Sequence, residues 1–491
     1  MGAVMLQGTG SDVGKSVLVA GICRLLTNRG MAVRPFKPQN MSNNAAVTPE
    51  GGEIGRAQAL QALACRIPSH VDMNPVLLKP QSDKSAQVIV HGKVHNIGDA
   101  EYYRKHKQDL LDAVLTSYRR LSNDADIVIV EGAGSPAEIN LRAGDIANMG
   151  FACAAKIPVI LIGDIDRGGV IASIVGTQTV IDSADAAMIK GFLINKFRGD
   201  VSLFDDGYAA IEQATGWKGL GVVPWLSMVH KLPAEDAVVL QKSDEAKEGV
   251  IEIAVPMLSR ISNFDDFDPL RLEPKVRLHM VPPGEVIPVN ASLIIIPGTK
   301  ATIADLKFLR AQGWDIDIAA HVRRGGHVLG ICGGYQMLGD SISDPQAIEG
   351  AAETVAGLGL LPVATALTAA KTLTNISGKS IADDQHIDGY EIHVGETRLN
   401  LAKCEMAHPM IRFLDGRLDG AVSSDGRISG CYVHGLFNNA AQRQSWLARF
   451  GAVSNEKEQS VVVDEALDAL AKALEEYVDI DELLAIAGDA A

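Results

Sequence analysis

The chain of 491 residues has no excess of positive charge: 45 Lys and Arg stand against 60 Asp and Glu, a formal net charge of −15. With a pI near 5.3, this excludes a general nucleic-acid or anionic-membrane surface, because such partners need clustered positive charge. It does not exclude a local site for an anionic small molecule. No uninterrupted apolar run reaches about 18 residues, so no membrane span is expected. The six cysteines, at 23, 65, 153, 332, 404 and 431, form no CxxC pair. That argues against a zinc ribbon or a disulfide scaffold and fits a reducing compartment. The first apolar stretch, AVMLQGTGSDVGKSVLVAGI, lacks a basic leader and is broken by a glycine-rich loop, unlike a signal peptide. Leu6 stands where a myristoylation signal needs Ser or Thr. No tandem repeat or low-complexity tract occurs. These absences predict a soluble, cytoplasmic protein that binds small molecules and leave its oligomeric state open.

What is present is apolar material for large cores: hydrophobic residues are 47% and charged residues 21%, which excludes whole-chain disorder. Over the first 230 or so residues, short β-branched runs alternate with longer helical patterns. Val4–Leu6, Ile127–Val130, Val159–Ile162 and Gly191–Ile194 read as buried parallel strands. The segment Gln241–Gly249 is charged and nearly free of large apolar residues, so it reads as a linker or a solvated helix. A second α/β pattern follows, with strands expected at Ile251–Val255, Leu293–Ile296, Val328–Ile331 and Ser429–Val433. Near the C-terminus, Leu467, Leu470, Leu474 and Val478 recur at three and four residues, an amphipathic helix. The expected fold class is α/β: a doubly wound N-terminal domain over 1–232, a linker over 233–249, a C-terminal α/β domain over 250–446 and a helical tail over 447–491.

Two motifs carry chemistry. GTGSDVGKS, Gly8–Ser16, lies between a strand and a helical pattern. Gly8 and Gly14 let backbone N–H groups converge on phosphate, and the helix N-terminus adds partial positive charge. Lys15 would reach the β/γ phosphates and Ser16 would ligate Mg²⁺. The strict pattern has glycine at position 9, which is Thr9 here, so the loop is one residue longer between Gly8 and Gly14 or a variant form. Glu131, Asp164 and Asp166 end later strands; each is a candidate for metal or ligand binding, or an ordinary loop and capping residue. In the second half, Gly330-Ile331-Cys332-Gly333-Gly334 joins a strand to a helix. That is the geometry of a nucleophile elbow, and a helix N-terminus favours a thiolate. The backbone N–H groups of Gly333 and of Gly298, at another strand end, could form an oxyanion hole. The partner base is a histidine: His434, His393 or His386.

The variant loop resembles that of dethiobiotin synthetase-like P-loop enzymes, which activate a carboxylate with ATP. Lys37, in Phe36-Lys37-Pro38, and Asn195, in Phe192–Lys196, match that group's phosphate- and carboxylate-contacting lysine and its adenine-reading asparagine. The elbow resembles class I glutamine amidotransferases, which favours His434 as the base. That family usually carries His-x-Glu; Leu436 occupies the Glu position here, as in the cobyrinate-type branch, so the third member of the site is absent from its usual place. The strings Lys37–Ala45, Gly163–Gly169 and Gly389–His393 are similar to the cobyric acid synthase family across both halves. That resemblance implies ATP- and Mg²⁺-dependent, glutamine-hydrolysing amidation of a corrinoid. It also implies substrate-binding roles for Lys37, Asn40, Ser42 and Asn43; the loop and strand-end reading above gives Ser16, Glu131 and Asp164 as the metal-binding candidates. Cobyrinic acid a,c-diamide synthases share both domains, and a regulatory P-loop ATPase would have no need of the elbow around Cys332.

Overall fold

A computed structural model describes residues 2–81, 85–234, 251–400 and 405–488. Most of the expected linker, residues 235–249, lies outside the described residues. The first half is built on a six-stranded parallel sheet in the order Lys218–Pro224, Ile189–Phe197, Val159–Asp164, Gly2–Gly8, Ile127–Glu131 and Val33–Phe36. Helices cover both faces, so its central strands are continuous apolar runs; every residue of Ile127–Glu131 is buried. The central strand Gly2–Gly8 has Ile127–Glu131 on one side and Val159–Asp164 on the other. Three loops therefore meet at one end of the sheet, where the winding direction changes and ligands bind in open α/β sheets.

In the second half the strands Val276–Val281, Ile251–Pro256, Leu293–Ile296, His327–Ile331 and Ile428–Cys431 run parallel, extended by two short antiparallel strands. The expected strand Ser429–Val433 is two strands. Ile428–Cys431 ends the parallel run, and Val433–His434 pairs antiparallel with His386–Leu399 in another sheet. The crossing falls at Tyr432, whose backbone N–H donates to Asp419 Oδ2 at 2.9 Å. The second sheet is dominated by the hairpin Val363–Ser380 and His386–Leu399.

The halves pack together directly. Ala45, Val47, Leu77 and Ile89 of the first join Tyr390 and Ile392 of the second in one apolar cluster. Arg56 forms an ion pair with Asp265 at 3.1 Å.

The C-terminal segment is not a separate tail. Its helix Gln459–Tyr477 packs on the helix Lys15–Asn28 that follows the glycine-rich loop, and Ile480–Gly488 lies against the strand Gly2–Gly8. Leu467, Leu470 and Leu474 are fully buried there, as their spacing predicts; Val478 is also buried but lies just past the helix. Arg24 pairs with Asp464 and Asp468 across the contact. The helices touch at Gly21, where a Cβ would sit 2.4 Å from Leu474 Cδ1 and 2.7 Å from Leu470 Cγ. Gly21→Val is therefore expected to overpack this contact and cost about 1–3 kcal/mol. A lower urea midpoint, with the C-terminal helix becoming protease-sensitive first, checks it; an unchanged midpoint would refute the packing argument. Among the described residues no helix is long and apolar enough to cross a membrane.

Candidate active sites

The glycine-rich loop is held from several sides. Gly14 has φ +96°, and a Cβ there would meet Asn195 Nδ2 at 2.4 Å, so only glycine fits between the loop and that strand. Lys15 Nζ donates to the carbonyls of Gly10 (2.8 Å), Ser11 (3.1 Å) and Gly134 (3.3 Å), and so lies over the loop. Thr9 N–H donates to Ile162 O at 2.9 Å, fixing the loop to the neighbouring strand. Asn195 Nδ2 donates to Val13 O at 2.8 Å, so this side chain braces the loop.

Glu131 is the hub beneath. Its Oε1 accepts from Ser16 Oγ at 2.7 Å and pairs with Lys37 Nζ at 2.8 Å. Its Oε2 accepts from Gln61 and, at 3.4 Å, from Gln58. Ser16, Lys37 and Glu131 are thus brought together at the loop. Asp164 does not join them: its carboxylate pairs with Lys196 at 2.8 Å, and Lys196 also donates to Asp12 O. Among the described residues no cluster of three or more metal-ligating side chains occurs. The set Ser16 and Glu131 fits Mg²⁺, which commonly uses one or two protein ligands and completes its shell with phosphate and water. Asn40 is buried and donates to Gln58 Oε1 at 3.0 Å, and Ser42 Oγ accepts from Asn44 N–H at 3.1 Å. Both are turned to the protein. Asn43 keeps a buried side-chain oxygen with no hydrogen bond.

The second centre forms at the ends of adjacent parallel strands. Cys332 follows His327–Ile331 with φ 52° and ψ −111°, a strained backbone for a residue with a side chain and typical of an elbow. Its Sγ lies 3.5 Å from Ile392 O. Gly333 opens the next helix, and Gly298 ends the neighbouring strand region. A Cβ on Gly298 would reach within 3.1 Å of His434 Cε1, so the glycine lets the ring sit there. The sheet change at Tyr432 sets His434 in this centre. Its Nδ1 lies 2.7 Å from Asp266 Oδ2, and Asp266 Oδ1 accepts from Gly435 N–H at 2.7 Å. Its other nitrogen is buried and closes no hydrogen bond; after Asp266, Cys332 is the group that acts on it. Burial alone would lower the pKa of His434, but the Asp266 carboxylate reverses this and, with a smaller contribution from Cys332, raises it to about 10.

Asp266 is the residue the sequence reading missed. It stands 168 positions before His434, on the turn Phe264–Phe267 after the strand Ile251–Pro256. The available signal was the acidic string Asp265, Asp266 and Asp268. The other histidines are placed differently. His386 is exposed and pairs with Asp388 at 2.7 Å. His393 lines the pocket beside Cys332 and stacks on Tyr432 with ring centroids 3.7 Å apart.

Residues 4–239 match the family model of the CobQ/CobB/MinD/ParA nucleotide binding domain, and residues 252–442 match that of the CobB/CobQ-like glutamine amidotransferase domain. The chain is 62% identical over 487 residues to the cobyric acid synthase of Rhizorhabdus wittichii, covering 99% of both chains. The chain belongs to the cobyric acid synthase family. The corresponding protein of Sphingopyxis alaskensis is 61% identical over 99% of both chains, and that of Novosphingobium aromaticivorans is 60% identical over 98% of this chain. As a family member the protein is an enzyme, a ligase with a glutamine amidotransferase domain and a nucleotide-binding domain.

Proposed function

We propose that the protein uses ATP and glutamine to amidate the b, d, e and g carboxylates of adenosylcobyrinic acid a,c-diamide. The observation that carries this reading is two separately built centres in one chain, the loop over Glu131 and the Cys332–His434–Asp266 array. In the second centre Cys332 attacks the side-chain amide of glutamine. His434, oriented by Asp266, takes the thiol proton and passes it to the departing ammonia. The N–H groups of Gly298 and Gly333 receive the developing oxyanion. Water then hydrolyses the thioester to glutamate.

In the first centre a substrate carboxylate oxygen attacks the terminal phosphorus of ATP, releasing ADP and leaving an acyl phosphate. Ammonia displaces phosphate from that carbon and loses a proton, giving the amide. Lys15, the loop N–H groups and Lys37 offset charge on the transferred group. Asn195 is assigned to the adenine side. Mg²⁺, held by Ser16 and Glu131, would supply charge neutralisation on the phosphates when bound. The two-domain division at the 233–249 segment belongs to this reading, with the C-terminal helices assigned to the synthetase core.

Mass spectrometry of the corrinoid after reaction with glutamine, ATP and Mg²⁺ tests it. Each exchange of OH for NH₂ lowers the mass by about one dalton, and four successive decreases are expected. An unchanged corrinoid would refute the substrate; a different number of decreases would refute the set of positions.

A further inference from the structure

The pocket in front of Cys332 is lined by several charged side chains that the chemistry above does not use: Lys79, Lys300, Lys371 and Glu349. Lys79 comes from the synthetase half, on the strand Val76–Pro80. Behind it lies Glu53, buried and shared. Glu53 Oε1 pairs with Lys79 Nζ at 2.7 Å, and its Oε2 pairs with Lys371 of the amidotransferase half. One carboxylate thus holds two ammonium groups, one from each half, at the pocket wall. The two lysines overwhelm the cost of burial and hold Glu53 down at about 2, so it stays ionised.

The arithmetic of charge leaves the pocket incomplete. Lys79, Lys371 and Lys300 bring three positive charges to the pocket against two carboxylates, Glu53 and Glu349. Among the described residues the Lys300 ammonium makes no ion pair or hydrogen bond. Burial and the two neighbouring lysines push it down to about 8. Glu349 lies on the same pocket. Its Oε2 accepts from Thr302 N–H at 2.6 Å, and burial raises its pKa to about 7. Gln336, by contrast, is already saturated: it donates to Val394 O (2.9 Å) and Tyr432 OH (3.0 Å) and accepts from Thr302 Oγ1 (3.0 Å). A largely desolvated cationic wall, with Lys79 buried and Lys300 and Lys371 half-buried, is costly when empty and, with a carboxylate beside it, matches a zwitterion when filled.

We infer that Lys79 and Lys300 form, with Lys371, the subsite for the α-carboxylate of glutamine, that Glu349 receives its α-ammonium, and that the glutamine pocket is therefore completed by the synthetase half. The inference rests on the glutaminase reading of Cys332. It gives the fused architecture a physical consequence: the amidotransferase half alone lacks one wall of its substrate site.

The test measures glutamate release by the full chain with L-glutamine, and hydrolysis of L-glutamine α-amide, in which the α-carboxylate is a neutral carboxamide. The unaltered protein prefers glutamine. In Lys79→Gln and in Lys300→Met, kcat/KM for glutamine falls about 10–100-fold, mostly through KM. The preference over the α-amide shrinks by a similar factor. An unchanged KM, or a loss of kcat with the preference intact, would overturn the inference. Lys300→Met breaks no ion pair, so it gives the same reading if Lys79→Gln folds poorly. Unaltered protein that releases no glutamate would instead overturn the glutaminase reading itself.

Discussion

Cys332→Ser is expected to remove glutamine-dependent amidation by at least about 10⁴-fold, while amidation driven by ammonium chloride persists. Serine fits the elbow, since it is smaller than cysteine and adds no branch at the strained backbone of residue 332. The fold should survive the change, so the loss reports chemistry. A hydroxyl ionises far less readily than a thiol, and the pair with His434 is then short of a nucleophile. The Glu131 centre lies in the other half and does not depend on the thiol. Parallel assays of glutamate release and of amide formation from each nitrogen source check the result. A serine variant with full glutamine turnover would remove Cys332 from its assigned role.

Both halves were legible where chemistry is local in the chain. Gly8–Ser16 and Gly330–Gly334 each join a strand to a helix within a few residues, and the parallel strands beside them are short apolar runs bounded by glycine or acidic residues. What was not legible depends on contacts between distant segments. Asp266 reaches His434 only because the chain changes sheets at Tyr432. Asp164 sits at a strand end as expected, yet its partner is Lys196, supplied by the adjacent strand. The amphipathic C-terminal helix announced its apolar face but not the surface it covers; that surface is the helix Lys15–Asn28 near the other end of the chain, met at Gly21.

The same long-range contacts tie the two centres together. The helix Arg56–Ala64 sends Gln58 and Gln61 to Glu131, and from its first turn Arg56 pairs with Asp265 and reaches the Tyr390 hydroxyl. Tyr390 in turn stacks on His434, with ring centroids 5.2 Å apart and planes 17° apart. One helix of nine residues thus reaches, through Arg56, Gln58 and Gln61, both the carboxylate under the phosphate loop and the neighbours of the proposed catalytic base. The seam between the halves is consequently part of both sites.

Asp266→Asn is expected to lower kcat for glutamine hydrolysis by about 10³–10⁴-fold with little change in KM. Both carboxylate oxygens are used, one toward His434 Nδ1 and one by Gly435 N–H, each at 2.7 Å. An amide has one accepting oxygen. If it serves Gly435, its NH₂ faces Nδ1 and drives the ring proton to Nε2, leaving no lone pair toward Cys332. If it serves His434, its NH₂ opposes the Gly435 N–H. Either way the tautomer or the loop is lost. The pH dependence carries a sign of its own. Burial by itself lowers the pKa of His434, and the Asp266 carboxylate raises it from 6.5 to about 10. A raised folded value means that the stability from this pair is fully present below about 6.5 and is lost as pH rises through about 10. The urea midpoints of parent and variant should therefore differ most on the acid side of that window and converge toward pH 10, while the variant's residual activity falls off at lower pH than the parent's. A variant that keeps glutaminase activity within about threefold, with its alkaline limb unmoved, would mean that His434 is oriented by some other group.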